Sequence, residues 1–195
     1  MTGVQTCALP IYISHQSGTR IQSCNIARRL APAGYPLIGE EGHAAGDCRQ
    51  CSLLLDTTGE IVLVQQKRNL YPLERQWQLA SEEIRCAQTA VGRVVISHGD
   101  DAADPVVYER VRALQPDVWV VQTNDMIDVP KWTGHQIGFR DLVAQRAQEM
   151  TAPLACPMLK GEFMHVTYSG GSFLACPDGR IHSLDPATNA LIVDV

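Results

Sequence analysis

From Cys51 onward, apolar and polar positions alternate in two different rhythms. The run "CSLLLD" and the following "TTGEIVLVQ" are rich in branched apolar residues and flank a turn at Thr58-Gly59, which predicts two strands joined as a hairpin. In "YPLERQWQLASEEIRCAQTA" the apolar positions Leu73, Trp77, Ala80, Ile84 and Ala87 recur at helical spacing with charges between them, so an amphipathic helix is predicted there. "RVVIS" then predicts a buried strand. In "DPVVYERVRAL" Asp104 can cap the free backbone N–H groups of a helix whose first turn accepts Pro105. "PDVWVVQT" returns to the strand pattern. Strand, helix, strand in this order implies neighbouring parallel strands linked by a right-handed crossover.

Further on, "FRDLVAQRAQEM" sets Phe139, Leu142, Val143 and Met150 on one helical face. From Phe163 the turn signals "SGG", "PDG" and "DPATN" separate strand-like runs, which predicts a β-meander and no helix after Met150. The fold class is therefore α/β, a mixed sheet with flanking helices followed by a β-rich tail. Taken alone, "DGRIHSLDPATNALIVDV" also fits the edge of a propeller blade, but the chain has no repeats to close a ring.

Composition narrows the class without naming a partner. Hydrophobic residues make up 45% and charged residues 19%, as in ordinary globular chains, and no apolar run reaches the roughly 18 residues of a membrane span. The part read here is expected to be a soluble domain, compatible with a membrane-anchored parent. A net charge of −5 argues against a basic surface that coats nucleic acid, while leaving room for a local basic channel or a metal to hold phosphate. Cys24, Cys48, Cys51, Cys86, Cys156 and Cys176 fit reduced thiols in a core; Cys48 and Cys51 form a lone C-x-x-C near His43, too little for a strong zinc signal.

The first residues need separate treatment. "TGVQTCALPI", Thr2 to Ile11, resembles the conceptual translation of a sequencing adapter, so residues 1–11 are set aside and native sequence is expected to start near Tyr12 with its parent extending upstream. The remaining organisation reads as an irregular lead-in over 12–46, an α/β domain over 47–150 and the β-rich tail over 151–195.

The stretch with most chemical content is "SHGDDAADP". His98 stands at the carboxyl end of a predicted strand, where α/β folds collect ligands, and Asp100, Asp101 and Asp104 follow it. Imidazole and carboxylates are donors for a divalent metal that acidifies bound water, and this makes His98 and Asp100 candidate ligands. The plainer reading has Asp101 and Asp104 solvating the loop and capping the helix, with His98 partly exposed. Trp119, on a strand, reads as core rather than as a stacking platform.

In order, "DCRQCSLLLDTTGEIVLV", "RVVISHGD", "VYERVRALQPDVWVVQTN" and "TGHQIGFRDLVAQR" resemble the C-terminal half of the metallo-β-lactamase-fold domain of ComEC-type competence proteins, with landmarks at Cys51, His98-Gly99, Pro116, Asn124 and Gly134-His135. The resemblance covers Asp47 to Arg146. It implies a metallo-β-lactamase-like half-sandwich, zinc or manganese held in part by His98, and Asn124 and His135 on the substrate side. It also implies DNA phosphodiester hydrolysis during uptake, completed by the missing N-terminal half. Two departures point to an incomplete or degenerate member: Gln65 and Gln66 stand where the family has its metal-bridging aspartate, and Ser97 replaces the first of two histidines. A non-catalytic α/β binding or scaffold domain with an interacting β-rich tail is the alternative. "GEIVLVQQKR" also resembles the strand before a Nudix box, but the box itself is absent downstream.

Overall fold

The computed structural model describes residues 12–14, 20–26, 50–56, 60–72, 74–76, 78–89, 91–123, 132–158, 160–163 and 166–184. The suspected adapter residues 1–11, Cys48 and Asn124 lie outside them. Strands β1 (Tyr12–Ser14), β2 (Arg20–Ile26), β3 (Cys51–Leu55) and β4 (Ile61–Gln66) form an antiparallel sheet in that order. The expected hairpin is β3 and β4. Its turn is closed by Asp56 N–H donating to Glu60 O at 2.9 Å and Glu60 N–H donating to Asp56 Oδ1 at 3.0 Å. Leu54 faces Leu63 while Leu55 faces Ile61, so Val62 is an extra residue accommodated as a bulge in β4.

A six-stranded mixed sheet follows. Chain order is β5 (Cys86–Thr89), β6 (Gly92–His98), α1 (Pro105–Leu114), β7 (Val118–Gln122), α2 (Trp132–Met150) and β8 (Leu154–Cys156). Next come a separate hairpin of β9 (Lys160–Phe163) with β10 (Val166–Ser169), then β11 (Phe173–Ala175) and β12 (Ile181–Ser183). The spatial order is β12-β11-β8-β7-β6-β5, with β6, β7 and β8 mutually parallel and the outer pairs antiparallel. Thus part of the expected β-rich tail joins the main sheet. Among the described residues no helix follows Met150.

Local chemistry sets these elements. Asp104 caps α1 as expected, its Oδ1 accepting from Val106 N–H at 2.8 Å ahead of Pro105, and Gln115 closes the helix in the left-handed region. Gly92 turns the chain into β6 with φ +102, and a β-carbon there would meet the Asp117 carboxylate that accepts from Arg93 N–H.

Two apolar layers result from strand alternation. On one face of the mixed sheet Val95, Trp119, Val121, Leu154 and Phe173 pack with Val107 and Val111 of α1 and Phe139, Val143 and Ala147 of α2. Trp119 is core, as expected, and its Nε1–H donates to the buried Ser97 Oγ at 3.0 Å. On the other face Val94, Ile96, Val118, Val120 and Ala155 meet Leu54 and Leu63 of the four-stranded sheet. Burying side chains as large as Leu54 and Ile96 contributes about 1.5–3 kcal/mol each.

One element differs from its expected form. The amphipathic helix over Tyr71–Ala90 is replaced by a single 3₁₀ turn at Glu74–Gln76 and by β5. Backbone groups that a helix would pair internally are taken by the preceding strand. Gln65 Nε2–H donates to Glu83 O at 2.8 Å, its Oε1 accepts from Arg85 N–H at 2.9 Å, and Ser81 N–H donates to Lys67 O at 3.0 Å. Gln65 is 1% exposed, so these bonds form away from competing water.

Candidate functional site

Strand alternation that buries Ile96 and Val120 between the sheets also sends His98 and Gln122 to the same face, as the next positions of β6 and β7. From the facing sheet, Ser52 shares the inward side of β3 with Leu54. The last layer of the inter-sheet core is therefore polar. Ser52 Oγ lies 2.7 Å from His98 Nε2 and donates a short hydrogen bond to Gln122 Oε1. All three are buried.

This wiring fixes the tautomer. A serine hydroxyl has one proton, and with that proton given to Gln122 the 2.7 Å contact has His98 Nε2–H as donor and Ser52 Oγ as acceptor. His98 Nδ1 is then an unprotonated nitrogen with no hydrogen-bond partner among the described residues. Burial, followed by the charge of Lys67, lowers the His98 pKa to about 3, so the ring is neutral at ordinary pH.

Lys67 follows β4 in the same alternation as Leu63 and Gln65 and is 7% exposed. Its Nζ donates to both oxygens of Glu74, at 2.9 and 2.8 Å, and lies 4.5 Å from the centroid of the Tyr71 ring. Tyr71 is 40% exposed and covers the ammonium. Burial, with Asp100 as charge and hydrogen-bond partner, pushes the Tyr71 phenol upward in pKa.

Of the candidates from the sequence, the side chains of His98 and Asp100 are described. His98 ends β6 and belongs to the polar layer, buried rather than partly exposed. Asp100 lies in the first turn of a 3₁₀ helix, Gly99–Ala103, and partners Tyr71. His135 lies in the first turn of α2, with its side chain outside the described set, as is Asn124. Among the described residues no three His, Cys, Asp or Glu side chains converge on a common point, which corrects the metal-binding reading. Asp101 turns inward at 1% exposure; burial raises its pKa, partly offset by the N–H groups of His98 and Asn69.

Ser52, Lys67, Glu74 and Gln122 were missed. The sequence signal that reveals them is a polar residue at the inward position of an otherwise apolar strand, usable only once strand register is known. The four cysteines with described side chains lie elsewhere. Cys86 and Cys156 join the helix-side core, Cys176 follows β11, and Cys51 occupies the face of β3 opposite Ser52. Burial drives the Cys156 thiol far above its ordinary pKa. A cleft of about 430 Å³ opens between β4 and residues 80–85, away from the polar layer, and its Glu83 and Arg85 are paired with each other at 2.7 Å.

No family model and no curated protein matches this chain. Among solved structures it is similar to the NitN amidase of Nesterenkonia sp. AN1, with TM-score 0.58 and 23% identity, over 69% of this chain and 51% of that one. The same amidase is similar to the same extent as a mutant from the nitrilase superfamily in complex with butyramide and as a mutant carrying the acetamide moiety of fluoroacetamide on its active-site cysteine. The chain spans about half the length of these structures. The chain thus shares the fold of these amidase structures, and the metallo-β-lactamase expectation is corrected: the strand and helix order it rested on belongs here to a different sandwich. The case for a ComEC-type DNA phosphodiesterase goes with that fold. Among the described residues no helix is long and apolar enough to cross a membrane.

Proposed function

We propose that the protein cleaves the C–N bond of a carboxamide, with Ser52 as an oxygen nucleophile and His98 as its proton acceptor. The observation that carries this reading is the 2.7 Å contact between Ser52 Oγ and His98 Nε2 at the end of the inter-sheet core. Support comes from the amidase fold and from the absence of a thiol from this layer among the described cysteines.

The steps follow from the wiring. The resting ring carries its proton on Nε2; when substrate enters, the ring shifts to the neutral tautomer protonated at Nδ1, and Nε2 then accepts the serine proton as Ser52 Oγ bonds to the carbonyl carbon and the C=O electron pair moves to oxygen. Lys67 is the buried cation of the cluster and faces the developing negative charge. Collapse breaks the C–N bond, and His98 passes its proton to the departing amine. Water then adds to the acyl-serine, giving its proton to His98, and the acid departs as Ser52 regains its proton. Gln122 Oε1, released by the serine hydroxyl, accepts an N–H of the substrate amide.

The test is ammonia release from acetamide and butyramide by the full protein. Wild-type turnover is expected, with Ser52→Ala lower by roughly a hundredfold or more. Absence of ammonia release by the wild type, or an unchanged Ser52→Ala rate, overturns the reading.

A further inference from the structure

The mechanism uses His98 and Lys67, which arrive on different sheets, yet neither side chain bonds the other. Their link is a third residue. Asp101 Oδ2 accepts from His98 N–H at 3.0 Å, and Asp101 Oδ1 accepts from Asn69 N–H at 3.1 Å. Asn69 lies two residues beyond Lys67. One carboxylate therefore clasps the main chain at the end of β6 and the main chain just past β4. Solvation is not its role, because the residue is 1% exposed. The bond to His98 N–H is the capping-box bond of the Gly99–Ala103 3₁₀ helix, but that cap alone does not explain the residue, because Asp101 spends its second oxygen on a segment 32 residues away in sequence.

We propose that Asp101 is a positioning residue that sets the separation of the His98 imidazole from Lys67, and so holds His98 in register with Ser52. The inference rests on the amide-cleavage reading for its catalytic consequence, but not for its structural one. Two oxygens are needed to serve two donors. Asparagine offers one oxygen and one NH2, so Asp101→Asn sets a donor against a buried N–H and releases one side of the clasp. Glutamate keeps both acceptors on a longer arm and displaces them.

The experiment uses the full protein with 15N-labelled histidine, comparing wild type with Asp101→Asn, Asp101→Glu and Asp104→Ala. In the wild type the His98 ring nitrogens are expected to report one neutral tautomer protonated at Nε2. Both Asp101 variants are expected to shift these resonances or populate the second tautomer. Asp104→Ala, which removes the α1 cap and an oxygen that accepts from the Asn69 side chain but leaves both Asp101 bonds in place, is expected to lower Tm and leave the resonances in place. With carboxamide substrate, kcat of Asp101→Asn is expected to fall roughly tenfold or more, with KM changed by less than about twofold. His98 resonances unchanged in the Asp101 variants overturn the proposal, as does an equal disturbance in Asp104→Ala. If Asp101→Asn does not fold, Asp101→Glu decides by the same spectrum. If the wild type cleaves no carboxamide, the functional reading fails and the nitrogen spectrum still decides the clasp.

Discussion

His98 and Gln122 are in-register neighbours on parallel strands, and both side chains end on the hydroxyl of Ser52, a residue of the opposite sheet. That relation makes one serine a polar pin at the end of the apolar layer between the two sheets. Truncating it takes a hydrogen bond from each of two buried groups at once. Ser52→Ala is expected to destabilise the fold by about 2–4 kcal/mol, more than loss of a typical single hydrogen bond, because each unsatisfied group costs on the order of 1–3 kcal/mol. Urea unfolding of the two proteins measures the difference.

Acid sensitivity should carry the signature of His98. Its folded pKa of about 3 lies below the unfolded value of 6.5, so between them the unfolded chain binds the extra proton. This contribution to stability is fully present above pH 6.5 and declines by about 1.4 kcal/mol per pH unit as pH falls towards 3. Asp101, with its raised pKa, acts in the opposite sense: its stabilising contribution lies at the acid end and is lost as pH rises through the folded value. The difference between wild type and His98→Asn isolates the histidine, and a pH-independent difference between the two unfolding free energies contradicts its buried neutral state.

Lys67 should be chemically shielded by one ring. Tyr71→Ala removes the aromatic cover while leaving the Glu74 carboxylate in place. Acetic anhydride labelling read by peptide mass spectrometry is expected to modify Lys67 roughly tenfold faster in the variant, as a side chain passes from buried towards exposed. Equal labelling rates refute the cover.

The Gln65 amide is a cross-brace between the sheets. Gln65→Leu keeps the volume but leaves Arg85 N–H and Glu83 O without their partner, at a cost of about 1–3 kcal/mol. Amide exchange at Arg85 is expected to quicken well beyond the change at Val120, whose strand pairs with β6 and β8 and not with this segment.

What was legible in the sequence follows how local the cause is. The Asp104-Pro105 start of α1, the β3–β4 hairpin and the parallel β6–β7 pair are read from neighbouring residues and stand as expected. The segment after Tyr71 looked helical because Leu73, Trp77, Ala80, Ile84 and Ala87 keep helical spacing; a distant glutamine claims its backbone instead. His98 could be located at a strand end, but its partners could not, since Ser52 lies 46 and Gln122 24 residues away. Gln65, which the resemblance sets where a metal-bridging aspartate stands, is a structural amide bonded to Glu83 O and Arg85 N–H, partners that lie 18 and 20 residues on.

The bulge at Val62 has an implication for how such a site can be lost or rewritten. Removing that single residue would make Leu55–Ile61 and Leu54–Leu63 consecutive pairs, so the inward positions from Leu63 to Lys67 are kept. One residue inserted just past Leu63 would instead exchange inward and outward positions beyond it, carrying the ammonium and the bracing amide to the outer surface without touching a chemical group. The strand therefore tolerates a codon lost at its bulge and not a codon gained beyond it.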